Sequence, residues 1–127
     1  MSNILIDTSV WIEYFSGNKL VNDIDNLIDE GKICINDIIL CELIPFLKIK
    51  KEFELIDLIK SIDKIELKIN WNKIIDYQFE NVKKNIKKIG IPDLIILQNI
   101  LDNNLEIYTL DKHFIQMKDN FKIKLYK

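Results

Sequence analysis

Short apolar runs alternate along this chain with longer stretches in which apolar side chains recur every three or four residues. Residues 4–6 are wholly apolar, end at Asp7 and predict a buried strand. Residues 8–15 predict a helix that stops near Gly17. Residues 20–30 set Val21, Ile24, Leu27 and Ile28 at helical spacing, with Gly31 as a C-terminal stop. Residues 33–35 predict a second buried strand. Asn36 or Asp37 can cap a helix over 38–49, kinked at Pro45 and apolar nearly all round, which calls for a second covering surface.

A helix over 52–62 follows, then an alternating stretch at 65–69 that predicts a short strand, then a long amphipathic helix over 71–89. Pro92 opens a helix over 93–103, because proline suits a first helical turn. Residues 105–110 predict a strand that ends at Asp111, and 121–126 a final strand. Strands separated by helices imply an α/β fold with a mostly parallel sheet between helical layers. Such sheets bind ligands beyond the carboxyl ends of their strands, where Asp7 and Asp111 both fall.

The length of 127 residues suits one domain over 1–127 that can bury a core without disulfides. Apolar residues make up 48% and charged ones 30%, which excludes a disordered or membrane-embedded chain. The net charge of −2 does not announce a nucleic-acid binder. Every basic residue other than His113 is a lysine, so no bidentate guanidinium is available within the chain. Cys34 and Cys41 sit in apolar runs without metal-binding spacing; buried free thiols and a reducing cytoplasm are expected. Asp7 interrupts the first apolar stretch too early for a signal peptide, and no run is long enough to span a bilayer.

Four carboxylates stand out by setting. Asp7 closes the first strand, Glu42 lies alone in the apolar helix, Asp93 opens a helix and Asp111 follows a strand. Asp7, Asp93 and Asp111 could each be a cap. Glu42 is harder to explain, because a carboxylate among apolar neighbours is costly unless a lysine pairs with it. Carboxylates gathered together repel one another, and a divalent cation removes that penalty; hard oxygen donors suit Mg²⁺ or Mn²⁺. Such ions activate water for phosphoryl displacement.

The chain resembles a PIN domain, and in size and segment order a VapC-type toxin. Leu5-Ile6-Asp7-Thr8-Ser9-Val10-Trp11 and Tyr108-Thr109-Leu110-Asp111-Lys112-His113-Phe114 carry the resemblance, with Glu42 and Asp93 at the middle acidic positions. The resemblance implies a PIN-like α/β/α sandwich and metal ligation by Asp7, Glu42, Asp93 and Asp111, with Ser9 and Thr109 as hydroxyl supports. It further implies a Mg²⁺- or Mn²⁺-dependent endoribonuclease with RNA as substrate, inhibited by a cognate antitoxin.

Alternatives within the resemblance are an RNA-processing nuclease without an antitoxin and a non-catalytic module that binds RNA or protein. An aspartyl-phosphate enzyme is disfavoured, because Ser9 stands where a second acid is wanted, and a receiver domain lacks its adjacent acidic pair. His113, the only histidine, has no partner motif for base catalysis. Trp11 and Trp71 are expected in the core or at an interface. Lys83, Lys84, Lys87 and Lys88 form a basic helix end that could steer RNA. The excess apolar surface of the 38–49 helix implies a homodimer that also receives the antitoxin, whose Arg or Lys would approach the carboxylates.

Overall fold

The computed structural model describes residues 3–127. Five short parallel strands form one sheet: β1 (Ile4–Ile6), β2 (Ile33–Ile35), β3 (Asp63–Lys64), β4 (Glu106–Tyr108) and β5 (Lys124–Leu125), in the order β3-β2-β1-β4-β5. Seven α-helices surround it: α1 (Thr8–Phe15), α2 (Ile24–Asp29), α3 (Asp37–Ile49), α4 (Phe53–Lys60), α5 (Trp71–Lys83), α6 (Ile91–Asp102) and α7 (Lys112–Phe121). This is the α/β sandwich the alternating pattern implies, and its sheet is wholly parallel. No helix among the described residues is long and apolar enough to cross a membrane.

β1 lies in the middle of the sheet, with all three residues buried, as a strand covered on both faces must be. The strand order turns back on either side of β1, so a crevice opens beyond the carboxyl ends of β1 and β4. Register pairs Ile4 with Glu106 and Ile6 with Tyr108, and the Asp7 N–H continues the ladder to the Tyr108 carbonyl at 2.9 Å. The segments that leave the two strands therefore run side by side into that crevice.

Two helices differ in burial from what their sequences suggest. α6 is buried continuously from Leu94 to Ile100, including Gln98 and Asn99. α3 continues through Pro45 and buries only Ile39, Leu43 and Leu47, leaving Phe46 and Ile49 exposed. Cys34 is buried, but Cys41 is exposed on the outer face of α3, so only one of the two thiols belongs to the core. Trp11 is fully buried and Trp71 is exposed.

Local chemistry accounts for the other departures. The helix expected over 20–30 divides into a 3₁₀ turn, Lys19–Val21, and α2; Asn18 caps the turn by accepting the Leu20 N–H, and α2 starts only after Asn22 and Asp23. The strand expected over 65–69 lies earlier, at β3. Beyond it the backbone bonds to α6 amides, with Asn99 Nδ2 donating to the Glu66 carbonyl and Gln98 Nε2 to that of Lys68. The helix expected to reach 89 ends at Lys83, because Asn85 takes a left-handed conformation (φ 61°) and returns the Ile86 N–H to the Asn81 carbonyl. α7 was not anticipated, and it takes Phe121 out of the last strand, which shortens to β5. Its signal was present as Phe114, Met117 and Phe121 at helical spacing behind Asp111 as cap.

Candidate active site

Asp7 follows β1 directly and is nearly fully buried. Its Oδ2 accepts two hydroxyls, Ser9 Oγ at 2.9 Å and Thr109 Oγ1 at 2.7 Å. Each hydroxyl in turn accepts a backbone N–H: Leu110 N to Ser9 Oγ at 3.0 Å, and Asp111 N to Thr109 Oγ1 at 2.9 Å. The post-β1 and post-β4 segments are thus stitched together through the carboxylate. The arrangement fixes both the position of Asp7 and the rotamers of Ser9 and Thr109. Burial raises the Asp7 carboxyl above its ordinary range; the Thr109, Ser9 and Thr8 hydrogen bonds oppose this, and the charge of Asp111 adds to it.

Asp111 caps α7, its Oδ1 accepting the His113 N–H at 2.9 Å. Asp93 sits in the first turn of α6, where the helix dipole favours negative charge. The His113 Nδ1 lies 3.1 Å from Asp93 Oδ2 and 3.5 Å from Asp111 Oδ1, joining the starts of two helices. Burial raises the Asp93 carboxyl, the His113 hydrogen bond opposes the rise and the Asp111 charge reinforces it.

Glu42 is not a carboxylate enclosed in an apolar helix. It lies on the exposed side of α3, and its Oε1 accepts the Thr8 hydroxyl at 2.9 Å. Its carboxyl is nonetheless raised: first by partial burial, against the Thr8 bond, and then by the negative charges of Asp7, Asp93 and Asp111. All four acids therefore share one electrostatic neighbourhood at the crevice. Among the described residues, no ion pair joins a lysine to any of them. The lysine partner that would have made Glu42 an ordinary structural charge is thus not among the ion pairs.

Sequence reasoning gave Thr8 no role and weighed His113 only as a catalytic base. Both adjoin a site acid in sequence or sit in the same helical turn. A two-residue spacing from a capping acid to a histidine is the signal that could have found His113.

The sequence profile of the PIN domain family, described as PIN domain, matches residues 4–120. The chain belongs to the PIN domain family. PIN domains are generally nucleases, which supports a hydrolase activity. No curated protein matches the chain significantly by sequence.

Solved structures similar to it include DNA-bound VapBC from Salmonella typhimurium, 18% identical over 99% of this chain and 98% of that one, with a TM-score of 0.72. VapBC2 from Rickettsia felis, bound to a promoter DNA fragment, is 19% identical over 97% and 96% of the two chains, with a TM-score of 0.72. FitAcB from Neisseria gonorrhoeae is 20% identical over 98% and 96%, with a TM-score of 0.71. At these identities the likeness shows the PIN fold.

The donor set suits the divalent metal that PIN nucleases typically use. Asp7, Glu42 and Asp93 have raised proton affinity, no lysine among the described residues is ion-paired to the set, and a nearby cation relieves that kind of repulsion.

Proposed function

We propose that this PIN domain is a Mg²⁺- or Mn²⁺-dependent endoribonuclease that acts as the toxin of a toxin–antitoxin pair. The observation that carries the reading is the shared electrostatic neighbourhood of Asp7, Glu42, Asp93 and Asp111 at the β1–β4 crevice, with no lysine among the described residues ion-paired to any of them. These four residues would hold the metal. When bound, it supplies an activated water and stabilises the charge that develops on the scissile phosphate.

The residues of the chain itself do the positioning. Ser9 and Thr109 hold Asp7 in one orientation by donating to a single oxygen, so the other oxygen is directed by the same constraint. Thr8 restrains Glu42 from the start of α1, and the α6 and α7 N-termini present Asp93 and Asp111. An in-line displacement at phosphorus needs this fixed placement more than it needs covalent help from the protein. Lys83, Lys84, Lys87 and Lys88, which precede α6, would guide the RNA backbone toward the crevice.

The toxin reading draws on the VapBC and FitAcB neighbours. The chain has no arginine, so a guanidinium at the carboxylates would have to come from an antitoxin. A homodimer would cover part of the exposed apolar surface, of which Trp71, Ile75, Phe79 and Val82 form a stripe along α5.

The test is RNA cleavage by the purified chain with Mg²⁺, with Mn²⁺ and with chelator, beside Asp7→Asn, followed by mapping of the cut sites. Metal-dependent cleavage lost in Asp7→Asn is the expected result. Binding of RNA without cleavage under every condition would leave a non-catalytic module. Co-purification with the product of the adjacent gene tests the antitoxin, and sedimentation tests the dimer.

A further inference from the structure

One corner of the site has a donor set unlike the rest. His113 Nδ1, Asp93 Oδ2 and Asp111 Oδ1 face one another at 3.1 and 3.5 Å from the nitrogen, and one donor atom from each residue lies within 4.8 Å of the others. Neighbouring ligands around an octahedral ion with bonds of about 2.1 Å are separated by about 3.0 Å, and opposite ligands by about 4.2 Å. The two nitrogen–oxygen distances are close to the spacing of neighbouring ligands in one coordination shell.

The imidazole is held there by backbone and core. The backbone N–H of His113 donates to Asp111 Oδ1 at 2.9 Å, and the next residue, Phe114, is fully buried. The side chains of Asp93, Asp111 and His113 retain 22%, 31% and 26% of their exposure, so an ion can enter from solvent.

We propose that His113 supplies a nitrogen ligand through Nδ1 to a divalent ion shared with Asp93 and Asp111, and that this nitrogen makes the site prefer Mn²⁺ to Mg²⁺. The proposal rests on the metal-nuclease reading for its ion and adds a ligand to it. An all-oxygen set suits Mg²⁺, whereas imidazole favours first-row transition ions. Ligation uses the Nδ1 lone pair, so the ring takes the tautomer with its hydrogen on Nε2 and stays neutral, the hydrogen exchanging through solvent.

The chain contains one histidine, so a signal from an imidazole nitrogen is assigned without labelling. Pulsed electron paramagnetic resonance of the full chain loaded with Mn²⁺ should show coupling to a directly bound ¹⁴N, lost in His113→Gln. Calorimetric titration should show Mn²⁺ affinity falling about tenfold or more in His113→Gln and His113→Ala, with Mg²⁺ affinity held within about threefold. Circular dichroism establishes that each variant is folded, and the wild-type coupling measurement needs no variant at all. Tight Mn²⁺ binding without nitrogen coupling, or equal losses for the two ions, would overturn the proposal and leave the metal reading standing. Failure of the wild-type chain to bind either ion would overturn both.

Discussion

At Asp7, two hydroxyls and a nearly complete loss of solvent act in opposite directions, and burial wins. A carboxyl whose folded-state pKa lies above its unfolded value supports the fold below the unfolded value. That support is lost as pH rises through the folded value. Asp7→Asn keeps an oxygen for Ser9 and Thr109 to donate to but carries no charge. In chelator, the variant should therefore be more stable than the wild type by a margin that grows from pH 4 towards 7. Urea unfolding across that range reads the margin, and a flat or reversed trend would show that the hydroxyls outweigh burial. Cys34 is another buried titratable group of the core. Burial, with the Asp63 charge second, pushes its thiol up to about 12. A thiol reagent at pH 8 should label exposed Cys41 in the folded protein and reach Cys34 only after unfolding, as mass spectrometry of the labelled peptides would report.

Among the elements, α3 and α6 depend on one buried amide pair. Asn36 caps α3 by accepting the Ile39 N–H at 3.0 Å, and its Nδ2 donates to Asn99 Oδ1 on α6 at 2.9 Å. Asn99 passes the link on to the Glu66 carbonyl beyond β3. Asn36→Ala removes a cap and leaves Asn99 Oδ1 without that donor. The expected loss is about 1–3 kcal/mol in denaturant unfolding. Because α3 carries Glu42 and α6 carries Asp93, RNA cleavage should fall in the same variant even at temperatures where it is folded. Unchanged stability would mean that water replaces the amide.

Taken as a whole, the molecule concentrates negative charge at one end of its sheet, where three carboxyls have raised proton affinity. Binding of Mg²⁺ or Mn²⁺ should therefore raise the melting temperature. At a hundredfold excess over Kd the gain is about 2.7 kcal/mol. Asp7→Asn should shrink that gain while Lys83→Gln, outside the crevice, keeps it. Differential scanning calorimetry decides the matter; an equal metal response in Asp7→Asn would remove Asp7 from the ligand set.

The local periodicities sufficed for β1, β2, the body of β4, α1 and α3, and for the start of α6, because burial on one side or both leaves its period in neighbouring residues. They also placed Asp7 directly after β1, whereas β4 stops at Tyr108 and Asp111 lies three residues beyond it, as the cap of α7. Tertiary structure alone decided which strands are neighbours, and hence that Thr109 reaches Asp7 across 102 residues of sequence. It placed β3 ahead of the alternating stretch, because the α6 amides capture the backbone that would otherwise have continued the strand. It turned Glu42 outward to Thr8 and brought His113 between Asp93 and Asp111. Periodicity records which face of an element is covered; the contacts that gather this site join different elements, and their geometry exists only once the sheet order has brought those elements together.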